Sequence, residues 1–92
     1  MNEKPIEKKL REGVKDQGGL AIKLLATYFT GLPDRMILMP GGRIWFVETK
    51  TTGKKSSPMQ LRVQGMLRAL GFDVRVIDTQ ELLTEFLELI AK

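Results

Sequence analysis

The chain contains no cysteine and no histidine. Without cysteine there are no disulfides and no thiolate chemistry, which points to an intracellular setting. Without histidine there is no Ser-His triad, no imidazole general base and no ordinary zinc site. Any catalyst here must use carboxylates, lysine and hard metal ions. No apolar run reaches the length of a membrane span, and the start, Met1 to Lys9, lacks the apolar stretch of a signal peptide. Internal repeats, linkers and low-complexity tracts are absent as well.

What remains is 92 residues with 42% hydrophobic content and a net charge of +4. That length makes one domain, residues 1–92, with a modest core that oligomerisation would help. The positive charge fits a polyanionic partner.

Residues 31–50, from Gly31 to Lys50, are the central stretch. They read as two strands, 35–39 and 43–49, joined around Gly41-Gly42. Asp34 precedes the first strand and Glu48 closes the second. Lys50 lies two residues beyond Glu48, and residues two apart on a strand share a face. The turn decides whether the two acids meet. A two-residue turn would set Asp34 opposite Thr49, whereas a three-residue loop of Pro40, Gly41 and Gly42 sets Asp34 opposite Glu48. The longer loop needs a left-handed residue, which glycine supplies.

Upstream, residues 3–17 read as a helix with Pro5 in its first turn and Ile6, Leu10 and Val14 as its apolar stripe. Gly18-Gly19 ends it. Residues 20–29 are expected to form a strand, on the β-propensity of Thr27, Tyr28 and Phe29 and the flanking glycines. Pro33 would hold Asp34 at the mouth of the next strand. Downstream, Ser57-Pro58-Met59-Gln60 is a capping box that starts a helix running to about Leu70. Its predicted inner face is Val63, Met66, Leu67 and Leu70, and close packing on the sheet would explain Gly65. Phe72–Ile77 reads as a strand that pairs in parallel after the crossover. A last helix covers 79–91, with Asp78 and Glu81 as a possible capping box and Leu82, Leu83, Phe86, Leu89 and Ile90 inward. The order is α-β-β-β-α-β-α, an α/β fold with a central mixed sheet flanked by helices.

The chemistry concentrates in Asp34, Glu48, Thr49 and Lys50. Two carboxylates can hold Mg²⁺ or Mn²⁺, with the Thr49 carbonyl as a further oxygen ligand. Such a metal polarises a phosphodiester and acidifies water. Lys50 would orient that water or stabilise transition-state charge. Glu7 has two readings, as a member of the site and as a helix-start carboxylate favoured by the dipole. Gln60 also has two compatible ones, as a contact near Lys50 and as the capping-box partner. Lys54, Lys55 and Arg62 are candidate contacts to a nucleic-acid backbone or a solvated loop and helix face. Trp45, between apolar Ile44 and Phe46 and on the face opposite Glu48, suits core or dimer packing more than base stacking.

These residues resemble a known family. Gly31-Leu32-Pro33-Asp34-Arg35, Gly41-Gly42-Arg43, Phe46-Val47-Glu48-Thr49-Lys50, Ser57-Pro58-Met59-Gln60 and Leu70-Gly71-Phe72 are similar, in order, to the motifs of the VRR-NUC domain, the virus-type replication-repair nucleases. That domain belongs to the PD-(D/E)xK superfamily, with a restriction-endonuclease-like fold. The resemblance spans nearly the whole chain. It implies metal ligands at Asp34 and Glu48, a catalytic Lys50, supporting roles for Glu7 and Gln60, and a bacterial or phage setting. Stand-alone members resemble Holliday-junction resolvases that act as homodimers on four-way DNA junctions. Flap, nicking or restriction-type cleavage, and non-catalytic nucleic-acid binding, are the competing expectations.

Overall fold

A computed structural model describes residues 3–25, 28–51 and 53–92. The elements follow the expected order: α1 (Pro5–Asp16), β1 (Leu20–Lys23), β2 (Arg35–Met39), β3 (Arg43–Thr49), α2 (Pro58–Ala69), β4 (Asp73–Ile77) and α3 (Gln80–Ile90). The four strands form one sheet in the order β1-β2-β3-β4. The first two pairings are antiparallel, and β3 pairs with β4 in parallel.

The β2–β3 hairpin carries the register on which the site depends. Met39 pairs with Arg43, which leaves Pro40, Gly41 and Gly42 as a three-residue loop. Gly41 and Gly42 take φ of 84° and 75°, the left-handed region that disfavours other residues. Arg35 pairs with Val47, so Asp34 lies opposite Glu48 one step further along the ladder.

Alternation sends each strand's residues to two faces. One face carries the core: Ile37 and Met39 of β2, Val47 of β3 and Ile77 of β4 pack under Leu10 and Val14 of α1 and Leu83, Phe86 and Ile90 of α3. Trp45 joins this side, edge-on to Phe86 at 6.1 Å between ring centres, with the Arg43 guanidinium 5.5 Å from its ring. Gly13 lets α1 and α3 close on each other, since a Cβ there would stand 2.7 Å from Leu87. On the opposite face α2 covers the β4 side, where Val63 of the helix and Val74 of the strand are both buried.

Four expectations are corrected. The strand predicted over 20–29 ends at Lys23, and of its remainder residues 26 and 27 lie outside the described residues. Its ladder stops where β2 begins, the last rung being the Leu24 N–H donating to the Asp34 carbonyl at 2.9 Å. Tyr28 and Phe29 are exposed in the turn that follows. In α2, Val63 and Gln64 are buried while Met66 and Leu70 are exposed, because Gln60 and Gln64, four apart, turn one side of the helix toward polar partners. A Cβ on Gly65 would meet nothing within 4 Å, so close packing does not explain that glycine. The N-cap of α3 is Thr79, whose hydroxyl accepts from the Leu82 N–H at 3.1 Å, rather than Asp78, and Leu82 is partly exposed.

Candidate active site

The β2–β3 hairpin brings Asp34 and Glu48 side by side, and β3 runs straight on into Lys50. Asp34 is fixed by Thr49. Its Oδ1 accepts from the Thr49 N–H at 3.1 Å and its Oδ2 from the Thr49 hydroxyl at 2.6 Å. Thr49 is 1% exposed, so its own position is set by packing. Glu48 is 5% exposed. Its Oε2 lies 3.5 Å from Lys50 Nζ and accepts from Gln60 Nε2 at 3.3 Å. Its Oε1 is buried and has no hydrogen-bond partner among the described residues.

Gln60 joins the other groups together. Its Oε1 accepts from Lys50 Nζ at 2.7 Å and from the Ser57 N–H at 2.8 Å. The Ser57 hydroxyl accepts in return from the Gln60 N–H at 3.2 Å, closing the capping box. One side chain therefore caps α2 and ties Lys50 to Glu48, so both readings of Gln60 hold geometrically.

Glu7 reaches the site from α1. It is buried, accepts from the Lys4 N–H at 3.3 Å, and lies 4.0 Å from the buried Arg35 guanidinium. Arg35 in turn donates to the Ala21 carbonyl at 3.1 Å and to Glu3 at 2.8 Å, and Glu3 also accepts two bonds from Arg11 at 3.0 Å. A chain of charges thus runs from the surface of α1 to Asp34. The roles of the Thr49 hydroxyl and of Arg35 were not read from the sequence. Thr49 sits between two candidate catalytic residues, and the only signal for Arg35 is a cation at a core-facing position of a strand.

The electrostatics are those of carboxylates held together with too little compensation. Burial raises the Asp34 pKa above the ordinary carboxylate range, and neighbouring Glu7 adds to this, against the two Thr49 hydrogen bonds that lower it. Burial also raises Glu48, followed by the charge of Asp34, while Lys50 opposes them. A buried, unpartnered carboxylate oxygen beside a second carboxylate is a donor arrangement that suits a hard divalent cation, which takes one or two carboxylates with further oxygens. Among the described residues, no three His, Cys, Asp or Glu side chains converge to hold a metal. Glu7 is in contact with Asp34, and a cation here would draw first on the two hairpin carboxylates and backbone oxygen.

The structure places Lys54 and Lys55 exposed in the loop between Lys50 and α2, and Arg62 exposed on α2. None of the three is built into the Asp34–Glu48–Lys50 cluster. No helix among the described residues is long and apolar enough to cross a membrane.

Comparison with known proteins places the chain in a family. No family model matches the chain. It is 44% identical over 82 residues to the "Putative nuclease p44" of Acyrthosiphon pisum secondary endosymbiont phage 1, covering 89% of this chain and 88% of that one. It is also similar to a solved structure described as a "VRR_NUC domain", with a TM-score of 0.84, 33% identity and 90% of each chain covered. Sequence and fold match over the same nearly complete extent, and the chain belongs to the VRR-NUC family of nucleases.

Proposed function

We propose that the chain is a metal-dependent endonuclease that hydrolyses phosphodiester bonds in structured DNA, with four-way junctions as its substrate and a homodimer as its working form. The observation that carries this reading is the hairpin register. It sets Asp34 beside Glu48, leaves Glu48 Oε1 buried without a hydrogen-bond donor among the described residues, and delivers Lys50 to the same spot.

Asp34 and Glu48 would hold Mg²⁺ or Mn²⁺, with the Thr49 carbonyl as a further ligand, and the chemistry supplied there is polarisation of the phosphodiester and acidification of water. The Thr49 hydroxyl and N–H keep Asp34 in one orientation, so no reorganisation is needed as charge develops. Gln60 holds the Lys50 ammonium within reach of Glu48. From there Lys50 orients the attacking water or stabilises charge on the phosphoryl oxygens. The water oxygen bonds to phosphorus, the P–O ester bond breaks, and the leaving oxygen takes up a proton. Glu7 supports Asp34 by direct contact. Lys54, Lys55 and Arg62 contribute salt-sensitive contacts to the DNA backbone. A two-fold dimer suits a four-way junction because symmetry presents two sites to two strands.

The test is a substrate panel of labelled four-way junction, flap, and matched linear duplex, each with Mg²⁺, with Mn²⁺ and with EDTA. Paired nicks on the junction alone support the full reading. Cutting of flap or linear DNA would keep the active site and replace the substrate. Binding without cutting in either metal would overturn the enzyme reading.

A further inference from the structure

Tyr28 and Phe29 belong neither to the core nor to a strand. Tyr28 is 99% exposed and Phe29 49% exposed, although aromatic rings ordinarily gain by burial. Between them and the outer side of α2 lies a shallow hollow of about 300 Å³. Tyr28, Phe29 and Thr30 wall it on one side, and Met59, Arg62 and Met66 on the other. The last three are three and four residues apart, so they share one side of the helix. Arg62 is the charged residue of this lining, and among the described residues no carboxylate pairs with it. The two walls are fixed to each other. Gly31 takes φ of 91°, and a Cβ there would stand 2.7 Å from Met59 Cγ and 2.8 Å from the Met59 carbonyl oxygen. Glycine thus lets the chain just after Phe29 and Thr30 lie directly on α2. Both walls also lead into the active site. Asp34 is five residues beyond Phe29. Gln60, next to Met59 in the first turn of α2, bonds to Lys50 and Glu48. The hollow and the carboxylate cluster therefore flank the same turn of one helix.

We propose that this hollow seats a DNA base that has left the stack beside the cleaved phosphate. Tyr28 and Phe29 stack on the base, the methionines line its other side, and Arg62 meets the adjoining phosphate. The proposal rests on the endonuclease reading above and names the feature of the substrate that this site selects. Three observations favour a base over another occupant. Exposed rings give a stacking platform to any base, and an unpaired guanidinium among them supplies the cation that the backbone needs. The hollow is at the small end of the range for ligand sites, which suits a single base. It is also continuous with the active site, so a strand cleaved at Asp34, Glu48 and Lys50 passes it. A protein surface would have to cover Arg62 between Met59 and Met66, whereas a nucleotide pairs with that charge. The Thr30 hydroxyl is the one neutral polar side-chain group in the lining besides the Tyr28 phenol. Base edges are thus little read, and the selection is for an unstacked base rather than for a sequence. Taking a base out of a duplex costs energy, and least where it is already unpaired. Branched DNA is therefore favoured over continuous duplex.

The test is DNA binding in EDTA, by fluorescence anisotropy, with labelled four-way junction, flap and matched linear duplex. The proteins are the wild type, Tyr28→Ala, Phe29→Ala, Tyr28→Trp and Arg62→Ala. All three positions are exposed, and far-UV circular dichroism reports that the fold is kept. On the branched DNA that the wild type binds most tightly, each aromatic-to-alanine change is expected to weaken binding by about 5- to 100-fold. Tyr28→Trp restores the ring and should bind like the wild type. Affinity for the duplex should move by less than about twofold. Arg62→Ala should lower the slope of log affinity against log salt by about one, and the aromatic variants should leave it unchanged. Iodouracil placed at successive positions of the strand gives a second readout. Irradiation is expected to join Tyr28 or Phe29 to a position flanking the cleaved bond. Alanine variants that bind branched DNA like the wild type, equal losses on branched and linear DNA, or cross-links to neither aromatic would overturn the inference. So would a Tyr28→Ala protein whose DNA-free mass changes in sedimentation equilibrium, which would assign the patch to a protein contact. A wild type that binds branched DNA without cutting it in either metal counts against the enzyme reading alone. Normal binding by the alanine variants of an enzyme that cuts counts against this inference alone.

Discussion

Thr49→Val tests how Asp34 is held, and the effect can be worked out from the geometry. Valine keeps the shape of threonine, so no cavity forms around a side chain that is 1% exposed. What is lost is the 2.6 Å hydrogen bond from the hydroxyl to Asp34 Oδ2. The bond is charge-assisted, and its loss leaves a partly buried carboxylate oxygen without a donor, so the cost is about 2 kcal/mol near neutral pH. In a domain of this size that corresponds to a fall in Tm of about 8–16 °C. The sign with pH follows from the same bond. Thr49 favours the ionised form of Asp34, so the variant raises further a pKa that burial has already raised. Once Asp34 is protonated the bond is between neutral groups and worth about half as much. The difference between wild type and variant should therefore shrink as pH falls through the Asp34 titration. Thermal unfolding from pH 4 to 8, with Thr49→Ser as the hydroxyl-retaining control, measures this. Equal Tm for wild type and Thr49→Val at pH 7, or a gap that widens toward low pH, would refute the reasoning.

Other outcomes follow from the same site. Both Asp34 and Glu48 hold protons more tightly in the folded state than unfolded, so their contribution to metal-free stability is fully present below the ordinary carboxylate pKa and is lost as pH rises through their raised pKa values. Glu48→Gln should flatten that decline in a Tm-versus-pH series in EDTA, and Mg²⁺ should raise the Tm of the wild type at neutral pH but not that of the variant. Arg35→Met should cost about 3 kcal/mol in urea unfolding, because it strips a buried cation from Glu3 and Glu7, with Arg11 still holding Glu3. Gly65→Ala should stabilise by about 0.5–1 kcal/mol in the same assay, since its methyl group meets open space in a helix interior.

The parts of the fold legible in the sequence were those fixed by local chemistry. The Pro40-Gly41-Gly42 loop, the Ser57–Gln60 capping box and the Ile6-Leu10-Val14 stripe each specify their own geometry, and the elements around them lie where expected. The loop length alone was enough to bring Asp34 opposite Glu48. What escaped was set by tertiary context. Tyr28 and Phe29 have strand propensity, but β2 offers no partner for them beyond Asp34, and propensity without a partner does not make a strand. Hydrophobicity alone predicts the wrong inner face for α2. In fact Gln60 and Gln64 turn toward polar partners, and Met66 and Leu70 are left on the outside. Within the site, the triplet Glu48-Thr49-Lys50 was visible as a pattern. That Thr49 clamps Asp34 through its side chain depends on a cross-strand approach that spacing along the chain does not encode.

The most direct test of the account is the single-turnover cleavage rate of a DNA four-way junction in Mg²⁺ by the wild type and by Lys50→Ala, with binding measured in parallel. Lys50 lies 3.5 Å from Glu48 and is held by Gln60. Its removal should therefore lower the rate by about 100-fold or more while DNA affinity changes little. Cleavage by the variant at the wild-type rate would contradict the assignment of this hairpin as the active site.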